Sequence, residues 1–519
     1  MAMDRAHAAS ARLQVSDLND LLTPSPSCVL QLVPASGAEN GTGSGSGSAP
    51  VPVPGSFAAP MFPTLSSQPS GDASQKVARI QLSDCLSCSG CVTSAETILL
   101  DRQSTAAFLE LVDGSSKRAG LSCVALSHQS VASFAAAYNV SLESAAKKLC
   151  WFLKHSIGVT HVVHLSLARA VSLELHAQEL LERMASGNSA SLPMMSGSCP
   201  GFTVYAEKTL EMDILQRIAH AVSPQAVLGG LIAKNGLLAK ADASASRAPR
   251  ISAGTLMQNK NNVEIACCTV MPCADKKLEA VRREFAQTPP PGGGGSKSFV
   301  DLVLTSSELD ELVSERLAES STATFKALPE CELDSLCGEA PVAYFAGRSQ
   351  SPSGGLLEYV LRAAAERLFG IGDLHDELES DPRIETREVR NHDMREIRVR
   401  DTPLCFAYVY GFRNIQNLMR RIRMGRCAYQ FVEVMSCPSG CVNGGGQIIR
   451  EERSERKASV ELTRLRYEEA AEQRQCADVS APVALQTLNE LHAIPENDSK
   501  WMQLTLRPLE KTLGSELAW

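Results

Sequence analysis

The chain has 519 residues, room for two to four domains of roughly 100–200 residues each. Its 50 Lys and Arg against 58 Asp and Glu give a formal charge of −8, which excludes attachment to nucleic acid through a dominant basic surface. With 44% hydrophobic and 21% charged residues, disorder along the whole chain is excluded as well.

Residues 1–20 have no continuous apolar core, and Asp4, Asp17 and Asp20 fit a mitochondrial presequence poorly, so neither secretion nor import is expected. The N-x-S/T triplets at Asn40, Asn139 and Asn497 are then expected to stay unmodified. The apolar run 226–233 contains glycines and falls well short of the roughly 18 residues a membrane span needs, so no membrane contact is expected. Seventeen cysteines are the anomaly. In a reducing compartment they read as metal ligands or reactive thiols before disulfides, and the odd total leaves at least one outside any intrachain pair.

In chain order, residues 1–34 form an N-terminal segment carrying Cys28, and 35–76 a Gly/Ser/Pro-rich linker. Residues 77–115 are a cluster-binding segment, 116–475 an α/β body and 476–519 a C-terminal tail. Within the body, 160–168 (THVVHLSLA) reads as a strand and 169–184 as an amphipathic helix; 263–270 (VEIACCTV) is a strand that stops before Pro272. A surface insertion lies at about 286–298. Its PPPGGGGS resembles a phosphate loop, but Ser296 stands where such a loop needs glycine before the lysine. The strand 299–304 (FVDLVL) runs into Thr305 and Glu308, a capping-box pair that opens a helix. Residues 354–369 are helical by periodicity, and 404–410 and 430–434 are strands. The alternation predicts parallel sheets faced by helices, with ligand sites at the carboxyl ends of strands.

Cys85-x-x-Cys88-x-x-Cys91 places three thiols on one tight loop. That spacing opens the bacterial ferredoxin run and suits three corners of an iron–sulfur cubane. Zinc competes, although its four-cysteine sites are usually built from two C-x-x-C pairs. No cysteine follows Cys91 at the local spacing for a fourth corner. Cys28 is one candidate, and closing the long linker loop to reach it costs roughly 3–4 kcal/mol. Cys123, in the apolar LSCVALS, is the rival. A second, dispersed set comprises Cys199 in SGSCPGF, Cys273 in MPCADKKLE, and Cys437 and Cys441 in EVMSCPSGCVNGGG. Each lies beside Pro or Gly, where backbone N–H groups are free to face an anion, and Lys276 is close by in sequence. An anionic cluster needs such donors.

These three segments resemble the signature motifs of iron-only hydrogenases, and SPQAVLGGLIAK (223–234) resembles a further segment of that family. With Cys28 and the N-terminal run, the chain resembles the iron-only hydrogenase-like assembly factors of cytosolic iron–sulfur proteins, the nuclear prelamin A recognition factor-like group, over most of 13–30 and 77–475. The resemblance implies an N-terminal iron–sulfur segment on a hydrogenase-like body of two α/β lobes. It implies two [4Fe–4S] clusters, one on Cys28, Cys85, Cys88 and Cys91 and the other on Cys199, Cys273, Cys437 and Cys441. It also implies a role linking an early NTPase scaffold to a late targeting complex, in the cytoplasm and the nucleus.

Hydrogenases resemble TSCCP at the first motif, whose extra cysteine relays protons; this chain has Ser198 there. A thiol of pKa about 8.5 shuttles protons near neutrality and a serine hydroxyl does not. Hydrogen turnover is therefore not expected, and a hydrogenase or ferredoxin-like electron carrier stands as the alternative, as does an adaptor with purely structural clusters. The terminal Leu517-Ala518-Trp519 resembles the Trp-ended tripeptide that docks on the β-propeller subunit of the targeting complex, with Ala518 where an acidic residue is usual.

Remaining features read as structural. His161 and His164 should face opposite sides of a strand, as should Cys267 and Cys268. Cys150, Cys331, Cys337, Cys405, Cys427 and Cys476 lack ligand spacing. RRIRMGR (420–426) is expected to be a helix face whose charge offsets the anionic cluster, and EERSERK (451–457) a solvated helix.

Overall fold

A computed structural model describes residues 94–113, 121–187, 189–235, 265–287, 297–319, 324–334, 351–375, 377–449, 456–472 and 503–507. Cys28, Cys85, Cys88, Cys91, Cys337, Cys476, the 35–76 linker, most of the Gly-rich insertion and the Leu517-Ala518-Trp519 terminus lie outside these residues.

The strands in chain order are β1 (Leu121–Leu126), β2 (His161–His164), β3 (Met194–Met195), β4 (Ile265–Met271), β5 (Ala286–Gln287), β6 (Lys297–Ser298), β7 (Leu302–Thr305), β8 (Ile384–Asn391), β9 (Met394–Val399), β10 (Cys405–Tyr410) and β11 (Phe431–Met435). One sheet has the order β2-β1-β4-β7 and is parallel throughout. A second has the order β3-β11-β10-β9-β8, and a small β5-β6 ribbon stands apart. The architecture is α/β, with two sheet-centred lobes.

In the first sheet both faces are buried, which is why its strands are mostly apolar. Alternate residues serve opposite layers. Cys267 packs with Cys123, Ala125 and Val303, whereas Cys268 packs with Val124, Leu126 and Leu304. The adjacent cysteines therefore point apart into core, as their strand position requires. Cys123, fully buried, belongs to the same core.

The helix after β7 (Ser306–Glu319) opens with the expected box. The Thr305 N–H donates to Glu308 Oε2 (2.8 Å), and the Glu308 N–H donates to Thr305 Oγ1 (3.2 Å). Thr305→Ala should therefore cost about 1 kcal/mol, read as a lower denaturant midpoint at unchanged iron content; an unmoved midpoint would show that the cap is idle.

Three expectations need correction. The second sheet is mixed: β3, β11 and β10 run parallel, but β9 and β8 are antiparallel. The β8–β9 hairpin escapes pattern reading because β8 is an edge strand whose residues are mostly exposed and half of them charged. The segment 160–168 is strand only over His161–His164, since the helix Ser166–Ala185 starts three residues before the expected Arg169. The arginines of RRIRMGR do not stand over the cysteines. They end the helix Phe412–Arg423, whose first turn follows Gly411, itself bonded to the end of β11. Eleven rises of about 1.5 Å carry the last arginine roughly 16 Å from that start. There Arg421 lies over the Tyr429 ring at 5.0 Å and donates to its hydroxyl at 2.7 Å.

Candidate metal centre

Three parallel strands end at cysteine motifs. β3 leads to Cys199, β4 to Pro272-Cys273 and β11 to Ser436-Cys437, with Cys441 on the turn that follows. All three motifs therefore lie at carboxyl ends of strands, where ligand sites of α/β folds gather. Cys199 also caps the helix Pro200–Thr209, with proline at its first position.

Small residues bring the motifs together. A Cβ at Gly444 would collide with the Pro272 carbonyl, and the Gly446 N–H donates to that same oxygen at 2.9 Å. A Cβ at Gly201 would stand 2.6 Å from Asp275 Oδ2 and 3.1 Å from Ser436 Oγ. The third motif thus lies against the second, and the first against both. Gly440 turns at φ +76° where a side chain would meet Ser353 Oγ.

The four thiols converge. Beyond its own burial and Asp275, Cys273 feels the charges of Cys437, Cys199 and Cys441, and Cys437 feels those of Cys199 and Cys441. Burial above all pushes Cys273 and Cys437 far above the ordinary thiol range and Cys441 up to about 12. Cys273, Cys437 and Cys441 are then protonated near neutrality, and a metal or cluster held by them would displace those protons. Among the described residues no three His, Cys, Asp or Glu groups stand close enough to hold a single ion.

Hydrogen-bond donors face the sulfurs. The Ser436 N–H points at Cys199 Sγ (3.4 Å), Gly445 bonds Cys437 through its backbone, and Ser353 bonds Cys441 through its hydroxyl, which also accepts from the Cys441 N–H at 3.1 Å. Lys276 is buried. Its Nζ binds Glu279 at 2.9 and 3.0 Å and the Ser198 carbonyl at 3.1 Å; desolvation opposes its charge, but Glu279 outweighs that and its pKa rises. Four thiols with such donors are a set that can hold a [4Fe–4S] cubane. Ser436 and Ser353 were not singled out from sequence; Ser436 sits inside a cysteine motif, but Ser353 carries no local signal.

Ser198 sits beside His176, Oγ to Nε2 at 3.4 Å, while His176 Nδ1 bonds the Ser172 carbonyl at 2.7 Å. Nδ1 is then the protonated nitrogen and Ser198 the donor to Nε2. Burial lowers the His176 pKa, so the ring is neutral. A cavity of about 100 Å³ adjoins Cys441 and Ser198, walled also by His128, His164, Arg169 and Met435. His164 faces it, its ring 5.5 Å from that of His128, whereas His161 turns to Thr160 Oγ1 at 3.0 Å. The H-x-x-H pair does not share a ligand position. Burial, then Arg169, brings His164 down to about 3, and it too is neutral.

Behind the Cys441 turn, Glu433 is wholly buried and accepts from the Tyr410 hydroxyl (2.6 Å), the Leu357 N–H (2.7 Å) and the Ser351 hydroxyl (3.3 Å). Burial pushes its carboxyl up to about 7 against the pull of those bonds. A folded pKa above the unfolded value of about 4.3 means that the folded state holds the proton more tightly. This contribution is full at acid pH and is lost as pH rises from about 4.3 through about 7. Between pH 5 and 8, Glu433→Gln should gain on the wild type by a few kcal/mol, on the order of 3, in urea midpoints at matched metal loading. A pH-independent gap between the two would contradict the assignment.

Comparison with known proteins gives a consistent result. The family model described as "Iron only hydrogenase large subunit, C-terminal domain" matches residues 122–445. The "Cytosolic Fe-S cluster assembly factor narfl" of Xenopus tropicalis is 35% identical over 456 residues, covering 86% of each chain. The "Cytosolic iron-sulfur assembly component 3" of Rattus norvegicus is 37% identical over 471 residues, covering 88% of each. Among solved structures, a variant of the [FeFe]-hydrogenase HydA1 from Chlamydomonas reinhardtii superposes with a TM-score of 0.58 at 21% identity, over 78% of this chain and 98% of that one, a likeness of fold.

Proposed function

This chain belongs to the iron-only hydrogenase-like family of cytosolic iron–sulfur cluster assembly factors, and we propose that it serves maturation of extramitochondrial iron–sulfur proteins, holding two [4Fe–4S] clusters and linking the early scaffold to the late targeting complex. The observation that carries the reading is the convergence of Cys199, Cys273, Cys437 and Cys441 from three strand ends, with N–H and O–H donors on their sulfurs. These residues would hold one cluster, and Cys28, Cys85, Cys88 and Cys91 the other. A bound [4Fe–4S] cluster supplies one-electron chemistry, or iron and sulfide for an acceptor.

The protein's own groups favour retention over hydrogen turnover. Ser198 offers a hydroxyl donated to a neutral imidazole, which passes no proton near neutrality. Lys276, tied to Glu279 and the Ser198 carbonyl, puts a fixed positive charge beside the cage. In this reading the protein is not an enzyme, and Leu517-Ala518-Trp519 docks on the β-propeller subunit of the targeting complex.

Depletion of the protein in cells tests the proposal. Iron occupancy of cytosolic and nuclear iron–sulfur proteins should fall while that of mitochondrial ones holds. Unchanged occupancy in all compartments would reject an assembly role. Carbonyl and cyanide stretches in the infrared spectrum of the anaerobic protein would instead establish the hydrogenase alternative.

A further inference from the structure

Away from the cluster cage, the structure brings two other cysteines together. Cys150 lies fully buried near the end of the helix Leu142–Trp151, and Cys331 lies half-buried on the segment 324–334 that packs across that helix. Both sulfurs bond one carbonyl oxygen, that of Glu332, at 3.3 Å from Cys150 and 3.6 Å from Cys331. The shared oxygen brings the two thiols close enough for Cys331 to push the Cys150 pKa up. Neither has ligand spacing, and neither takes part in the proposed cluster site.

The junction around them is held in register. The Cys331 N–H donates to the Lys147 carbonyl at 3.1 Å, Lys147 pairs with Glu332 at 2.7 Å, and Lys148 Nζ reaches the Leu328 carbonyl at 2.6 Å. One turn later Lys154 pairs with Asp334 at 2.7 Å. Asp334 in turn accepts from the Val162 N–H at 2.8 Å, which fixes the segment to the outer edge of β2. The two thiols thus meet at one oxygen of a packed joint, with the Cys331 sulfur open to reagents and Cys150 buried behind it.

We propose that Cys150 and Cys331 are a redox modification site that closes to an intrachain disulfide on exposure to a low-molecular-weight disulfide such as glutathione disulfide. Access sets the order. The Cys331 thiolate attacks the glutathione disulfide; a Cys331–glutathione bond forms, the glutathione S–S bond breaks and one glutathione thiolate leaves. Cys150 then gives its proton to solvent, and its sulfur attacks Cys331 Sγ, releasing the second glutathione. Two protein thiols are oxidised, one glutathione disulfide is reduced, and the two protons end on two glutathione thiols. Burial pushes the Cys150 thiol up, and the Lys154 ammonium beside it offsets part of that rise, so the second step is the slow one.

The test uses the full-length, cluster-loaded protein under anaerobic conditions. It is incubated across glutathione disulfide-to-thiol ratios, alkylated and mapped by mass spectrometry with cleavage after Glu332, which separates Cys331 from Cys337. A Cys150–Cys331 link, two hydrogens lighter than the reduced pair, should form at unchanged iron content. Cys150→Ser should stall with Cys331 as the glutathione adduct, and Cys331→Ser should leave Cys150 unmodified. Three results would overturn the proposal: a wild-type Cys331 adduct that never resolves, a Cys331–Cys337 link in its place, or glutathione on Cys150 in the Cys331→Ser variant. Cys331→Ser alters only a half-buried side chain, so the test survives if Cys150→Ser folds poorly.

Discussion

Cys441→Ala is expected to remove about half of the iron from the anaerobically purified protein, and Cys28→Ala about half as well. Each takes one corner from one of the two proposed four-thiol cages, and a cubane short of a thiolate is lost as a unit. At Cys441 the damage extends to its partner, since Ser353 bonds both its N–H and its sulfur. The two losses should add, because the proposed ligand sets share no residue. Cys28→Ala with Cys441→Ala in one chain should leave almost no iron. Iron content held by either single variant would remove that residue from the ligand set.

The second large effect is expected from a residue that binds nothing. Gly444→Ala places a methyl group against the Pro272 carbonyl and carbonyl carbon, which are backbone and cannot swing aside. Overpacking of this kind costs about 1–3 kcal/mol or more, and here the strain falls between the Cys273 and Cys441 loops. Thermal stability should drop, and iron should fall by about half. Gly425→Ala is the control: Gly425 has φ +64°, but nothing lies within 4 Å of its would-be Cβ. It should show only a modest backbone penalty of about 1 kcal/mol at full iron content. Equal iron in the two variants would show that the Gly444 contact does not shape the site.

The strands leading to Cys273 and to Cys437 were legible, whereas the two-residue β3 before Cys199 was not. β4, β7, β10 and β11 are buried on both faces and so read as largely apolar runs, broken inside only by Thr269 and Glu433 and ended by Pro, Thr, Gly or Ser. The Thr305–Glu308 box was visible because its two side chains act on each other within one turn. The β8–β9 hairpin was not, because an exposed edge strand has no apolar face to betray its period. Sequence also could not place charges in space. Lys276, inside a motif, does stand by the cage, but the arginines of 420–426 lie at the far end of their helix. Ser353 reaches the Cys441 turn from a distant segment of chain, and Ser351 reaches Glu433 likewise; tertiary contacts of that kind leave no spacing to read.

Quantification of iron, acid-labile sulfide and zinc in protein purified without oxygen tests the central claim most directly. Two filled cages give about eight irons and about eight sulfides per chain, with zinc absent. A colourless protein that carries zinc alone would contradict the account, whatever its fold.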